Sequence, residues 1–168
     1  IVFAQLFDRN YGLLNWLLGF LGIVPFDFVQ TTWGSHLLIA VMVAWRWFGY
    51  TTLLYLASLQ AVPRDVYEAA SIDGAGGWKQ FVHITIPALR PVIIFTVVTS
   101  TIGGLQVFTE PLLISGGVLT CGPVRQCQTL SLFLYEQGFG QYEFGYGSAI
   151  GVALFVMVIV AAAINYLL

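Results

Sequence analysis

Charge is scarce in this chain. Only 8% of its 168 residues are charged, against roughly 25% in a typical soluble domain, and 58% are hydrophobic. That balance excludes an ordinary water-facing surface. The net charge is −2 and the six basic residues are scattered, which excludes a nucleic-acid surface. Cysteine is nearly absent. Cys121 and Cys127 stand alone, and nothing near them completes a metal site. No GxxxxGK[ST] phosphate loop occurs, and Gly76-Gly77-Trp78-Lys79 does not replace one. His36 and His83 lie far apart, so no nucleophile, base and orienter come together. The expectation is no catalytic residue, no cofactor and no metal. An initiator Met and a charged leader are also missing, so the first residues read as neither a signal peptide nor a natural start. The chain reads as a fragment truncated at both ends.

Long apolar runs are what the sequence has instead. A helix needs about 20 apolar residues to cross the roughly 30 Å hydrocarbon core. Three segments meet this: 37–61, interrupted only by Arg46; 91–114, with Glu110 near its far end; and 148–168, without a charge. Residues 1–7 look like the stub of an earlier helix. Residues 8–36 mix Leu14, Trp16, Leu17 and Phe20 with Asp8, Asn10 and Asn15. That mixture suggests a short interfacial helix, broken at Gly22 and Pro25. Residues 116–147 form a second connection, with a helical patch around 130–135. In that connection the cysteines are read either as a small disulfide loop facing an oxidising exterior or as two free thiols.

The polar loop between the first two runs holds Arg64, Lys79 and Arg90. The other two connections hold only Arg9 and Arg125, so the positive-inside rule puts this loop in the cytosol. Pro63 is suited to a first helical turn, and Asp65 and Glu68 then sit where the helix dipole favours negative charge. Gly74 follows where a helix stops in the left-handed region. A second helix is expected from Gly77, with Trp78, Phe81, Val82 and Thr85 on one face. It should end or kink near Pro87, and Pro91 should open the next span. By physics alone this is an amphipathic hairpin at the membrane surface.

The loop reads EAASIDGAGGWKQFVHITIPALRP from Glu68 to Pro91. In Glu68, Ala69, Ala70, Asp73, Gly74, Ala75, Ile84 and Pro87 it resembles the signature loop of binding-protein-dependent ABC importer permeases. The likeness extends to residues 8–18, Trp45-Arg46-Trp47 and Gln106-Val107-Phe108, which look like the maltose-type, carbohydrate-importing subgroup. The cysteine pair departs from that pattern, as does Ile86 where Leu commonly precedes the Pro. The resemblance implies an all-α, polytopic transmembrane helical bundle, a single permease domain over 1–168 with a cytoplasmic coupling loop at 62–90. It implies a multi-pass subunit of the cell (inner or plasma) membrane, in contact with lipid. Its implied partners are ABC ATPase subunits, a second permease subunit and an extracytoplasmic solute-binding protein. Glu68 would anchor to a basic residue of the ATPase, Ala69 and Ala70 would allow close approach, and Gly74 would supply the bend. The implied cargo is a sugar or oligosaccharide, with another small solute as the alternative. A secondary transporter fits less well, because only Glu110 offers an ion-coupling carboxylate.

Charges inside apolar runs normally pair or line a wet cavity. Arg46 and Glu110 are expected in the outer half of the bilayer, either as a pair or as separate contacts with the transport pathway. Arg46 has the further option of snorkelling between Trp45 and Trp47. Gln106 and Glu110 are candidates for hydrogen bonding a hydroxylated solute. Gly103, Gly104 and the Gly147 and Gly151 pair read first as helix-packing positions.

Overall fold

The computed structural model describes residues 5–22, 26–28 and 30–167, and every described element is helical. Gln5 and Leu6 are helical, while the rest of the expected stub at 1–4, and Pro25, lie outside the described residues. The interfacial segment forms α1 (Leu13–Phe20). Asn15 is buried beneath it and holds its flanks together. Its amide nitrogen donates to the carbonyls of Asp8 (3.1 Å) and Phe26 (2.9 Å), and its oxygen accepts from the Phe26 N–H (3.0 Å). Two backbone N–H groups, of Tyr11 and then Asn10, hold the Asp8 carboxyl below the usual carboxylate range.

The first span, α2 (Thr32–Gln60), starts more than a turn before the expected residue 37. Polar residues do not stop it, because Ser35 and His36 both bond back to the Thr32 carbonyl, at 3.0 and 2.6 Å. The loop helix follows as α3 (Arg64–Ile72), with Pro63 at its N-cap rather than in its first turn. The second span, α4 (Gly77–Leu105), differs from the expected 91–114 at both ends. It already begins at Gly77 and runs through Pro87 and Pro91, so neither proline ends or restarts a helix. The reason lies in one π turn at Phe81–Thr85, where the Ile86 N–H bonds to the Phe81 carbonyl five residues back. The wider turn sits where Pro87 would otherwise collide with the preceding carbonyls. Pro91 then lies inside an apolar helix of a kind that tolerates proline.

At its far end α4 stops at Leu105, and α5 (Thr109–Ile114) is a separate helix after a break at Gln106, Val107 and Phe108. Pro111 enforces the break, since in a continuous helix its ring would meet the Val107 carbonyl. That carbonyl instead accepts the Thr129 hydroxyl at 2.6 Å. Helix α6 (Leu130–Tyr135) continues into a π turn at Glu136–Gly140, and the third span is α7 (Phe144–Leu167).

Helix α4 packs between α2 and α7, and α6 leans on the start of α7. A methyl group on Gly147 would stand 2.9 Å from the Gly138 Cα, so this glycine is required for that close approach. The Tyr55 hydroxyl meets the Thr96 hydroxyl at 2.8 Å, tying α2 to α4, and Asn165 donates to Thr101 at 3.3 Å, tying α7 to α4. Most of the buried apolar side chains fall in two clusters. Phe7, Phe28, Leu38, Met42 and Ile114 form one cluster, and Leu132 packs with the cysteines in another.

Candidate functional site

The loop between α2 and α4 builds an elbow. Helix α3 is capped at its C-terminus by Asp73, and Gly74 follows with φ +79°. The Ala75 N–H reaches back to the Ala70 carbonyl (2.9 Å) and the Gly74 N–H to the Ser71 carbonyl (3.1 Å), which is a Schellman ending. Glu68, Ala69, Asp73, Gly74 and Pro87 are exposed, whereas Ala70, Ala75 and Ile84 are half-buried. Glu68 has no hydrogen-bond or ion-pair partner among the described residues, so its carboxylate faces outward uncommitted. His83 is exposed, and its ring Nδ1 lies 3.0 Å from the Lys79 carbonyl. Trp78 and Phe81 are exposed too, but Thr85 of the same expected face is buried, because the π turn rotates it inward.

Two ties across the elbow were not legible as such in the sequence. Gln80 donates to the Ser71 hydroxyl and the Ala75 carbonyl, and Tyr67 meets Thr85 through their hydroxyls. A Gln and a Tyr at these positions look like ordinary residues of a polar face.

At the other end of α4, Arg46 and Glu110 form an ion pair at 2.8 Å. Arg46 is the midpoint of α2, with fourteen residues on either side between Thr32 and Gln60. The break before α5 is what lets Glu110 reach it. The Glu110 side chain is 5% exposed and that of Arg46 50%. The second Glu110 carboxylate oxygen is buried with no hydrogen-bond partner among the described residues. Gln106 is exposed at the break and bonds to neither of them. Beside the pair, an open groove of about 450 Å³ runs between α2 and α4, lined by Ile39, Val43, Trp47, Ser100, Gly104 and Val107 among others.

The 116–143 connection is held by its own network. Cys121 and Cys127 are joined in a disulfide, with Cα atoms 5.2 Å apart. Arg125 grips Glu136 through two hydrogen bonds of 2.7 and 3.0 Å, and Gln128 adds a third. Burial pushes the Glu136 carboxyl up, but the bonds from Arg125 and Gln128 and the Arg125 charge outweigh it and hold the pKa below the usual range. No cluster of three or more metal-ligating side chains occurs among the described residues.

Three long apolar helices, with an exposed elbow between the first two, define a polytopic membrane chain. The chain belongs to the family described as binding-protein-dependent transport system inner membrane component, whose model matches residues 13–168. It is 38% identical to the lactose transport system permease protein of Rhizobium radiobacter, over 99% of this chain and 56% of that protein. It is 37% identical to the arabinooligosaccharides transport system permease protein of Bacillus subtilis (98% and 52%). It is also 37% identical to the trehalose/maltose transport system permease protein of Thermococcus litoralis (92% and 50%). The chain thus spans about half the length of these relatives. In a bacterial alginate ABC transporter solved with an alginate-bound periplasmic protein, the matched chain shares the fold. The TM-score is 0.83 at 20% identity, over 98% of this chain and 56% of that one.

Proposed function

We propose that this chain is the core of a permease subunit of an ATP-driven importer, and that α3 is the element that docks on a separate ATPase. The carrying observation is the elbow itself: Glu68 projects, exposed and unpartnered, from a short helix closed by a Schellman turn between two spans. An exposed carboxylate beside Ala69 and Ala70 suits a cleft that offers a cation. A second permease subunit completes the pathway, an extracytoplasmic binding protein delivers the solute, and the elbow faces the cytosol. ATP-driven closure of the motor subunits moves the elbow and rocks the spans, and hydrolysis resets them. The chain itself does no covalent chemistry.

The cargo proposed is a sugar or oligosaccharide, in keeping with the lactose, arabinooligosaccharide and trehalose/maltose relatives. The groove between α2 and α4 is suited to it. Trp47 offers an aromatic wall, and Gly104 leaves room beside the end of α4. Arg46, half exposed, supplies the charged contact for a sugar hydroxyl, with the buried Glu110 carboxylate holding the guanidinium in place. Gln106, exposed at the break, is the third polar contact proposed along the path.

Glu68→Lys tests the docking role in the full transporter. Truncating one partner of a buried interfacial charge pair costs roughly 2–5 kcal/mol, and reversing its sign costs at least as much. Co-purification of the ATPase and uptake should therefore both collapse while membrane insertion stays normal. Wild-type uptake by this variant would remove α3 from the coupling role.

A further inference from the structure

We infer that Gln80 is a positioning residue that locks α3 to the start of α4, so that the elbow and the span move as one body. This rests on the coupling reading above. The covalent link between the two helices is only Asp73, Gly74, Ala75 and Gly76, and its glycines give it backbone freedom. Displacement of α3 would be absorbed by rotation within such a link. Gln80 closes it from the far side. Its amide nitrogen donates to the Ser71 hydroxyl at 2.8 Å and the Ala75 carbonyl at 2.9 Å, with a longer contact of 3.5 Å to the Tyr67 carbonyl.

The chemistry requires a donor at this point. Ser71 already gives its own proton to the Tyr67 carbonyl at 2.8 Å, so its hydroxyl has only lone pairs left for Gln80. Ala75 and Tyr67 present carbonyls. All three partners are therefore acceptors, which fixes the amide with its nitrogen toward them. A second tie lies one turn along α4, where the Tyr67 hydroxyl meets the hydroxyl of the buried Thr85 at 3.0 Å, inside the π turn. Two points of attachment prevent α3 from pivoting about either one.

The test is a distance measurement in the complete transporter, with spin labels on cysteines placed at Ile72, exposed on α3, and Val97, exposed on α4. With Gln80 intact, the distribution should be narrow and keep its mean between the nucleotide-free and ATP–vanadate states. Gln80→Ala and Gln80→Glu should both broaden it and shift its mean on vanadate trapping. The Glu variant matters most, because it keeps the volume and loses the donor. A narrow, unshifted distribution in Gln80→Glu would show that bulk rather than donation holds the elbow, and would overturn the inference. A nucleotide-dependent shift with Gln80 in place would overturn it too. If a Gln80 variant fails to assemble, Tyr67→Phe removes the second tie alone and should broaden the distribution; an unchanged width there counts against the lock. Loss of the ATPase in Glu68→Lys is scored separately, so a failure of the lock can be told apart from a failure of the docking reading.

Discussion

Arg46 and Glu110 share one bond but not one environment, and that asymmetry decides what each substitution does. The Glu110 side chain is 5% exposed while that of Arg46 is half in the open. Removing the Arg46 guanidinium strands a buried carboxylate, whereas neutralising Glu110 leaves a cation that is half exposed. Breaking a fully buried pair costs roughly 3–5 kcal/mol, and screening at the exposed partner brings the loss here below that range. Arg46→Leu should therefore lower the thermal unfolding midpoint of the intact permease by several degrees, and Glu110→Gln by less. The double variant should lose less than the two single losses added together. Strict additivity would mean that the two side chains do not support each other. The residue types and their rough proximity were readable from the sequence, since a charge in an apolar run calls for a partner. That Glu110 turns inward was not readable, because it depends on how the break before α5 is filled. Thr129, twenty-two residues further on, takes up the freed Val107 carbonyl.

Elements with strong local signals came out where the pattern put them, and elements governed by a distant partner did not. Helix α1, the stop at Gly74, the restart at Gly77 and the 130–135 helix all follow from caps, glycines and apolar spacing. Span boundaries were the weak point. A proline next to an apolar run reads as an end, but a single π turn at Phe81–Thr85 carries α4 past Pro87, and no residue in FVHIT announces that turn. The 116–143 connection likewise owes its shape to a pairing eleven residues apart, Arg125 with Glu136. Its pH dependence follows from the lowered Glu136 pKa. A depressed carboxylate contributes stability that is fully present above its unfolded value, roughly 4.3, and that is lost as pH falls through the folded value. Amide exchange of residues 119–136, corrected for intrinsic rates, should stay slow at neutral pH and speed up as pH falls below about 4. Glu136→Gln should exchange faster at pH 7 and lose that acid-dependent rise. Protection that ignores pH would assign the order of this segment to the disulfide alone.

At the scale of the whole molecule, the spans expose far more apolar surface than water permits. Only 11 to 17% of the residues in their most apolar stretches are buried. Exposed side chains such as Trp45, Phe48, Leu53, Phe155 and Val160 run along them. Such surface is stable against lipid tails or other helices, consistent with a chain that spans about half the length of its relatives. Helix α4 is the one crossing between the elbow and the disulfide-bearing connection, so these two must lie on opposite faces of the membrane. Two exposed positions report on this: Ile72 at the end of α3 and Val124 beside the disulfide. In the full transporter with its other thiols blocked, a cysteine at Val124 should react with a membrane-impermeant maleimide added to intact cells. A cysteine at Ile72 should react only in inverted vesicles, or after the membrane is opened. If the ATPase shields Ile72 even there, stripping the peripheral subunits should restore its labelling. Labelling of both positions from one side would mean that α4 does not cross. Labelling of Ile72 from the outside would put the elbow where no cytosolic motor can reach it, and the proposed coupling would fail with it.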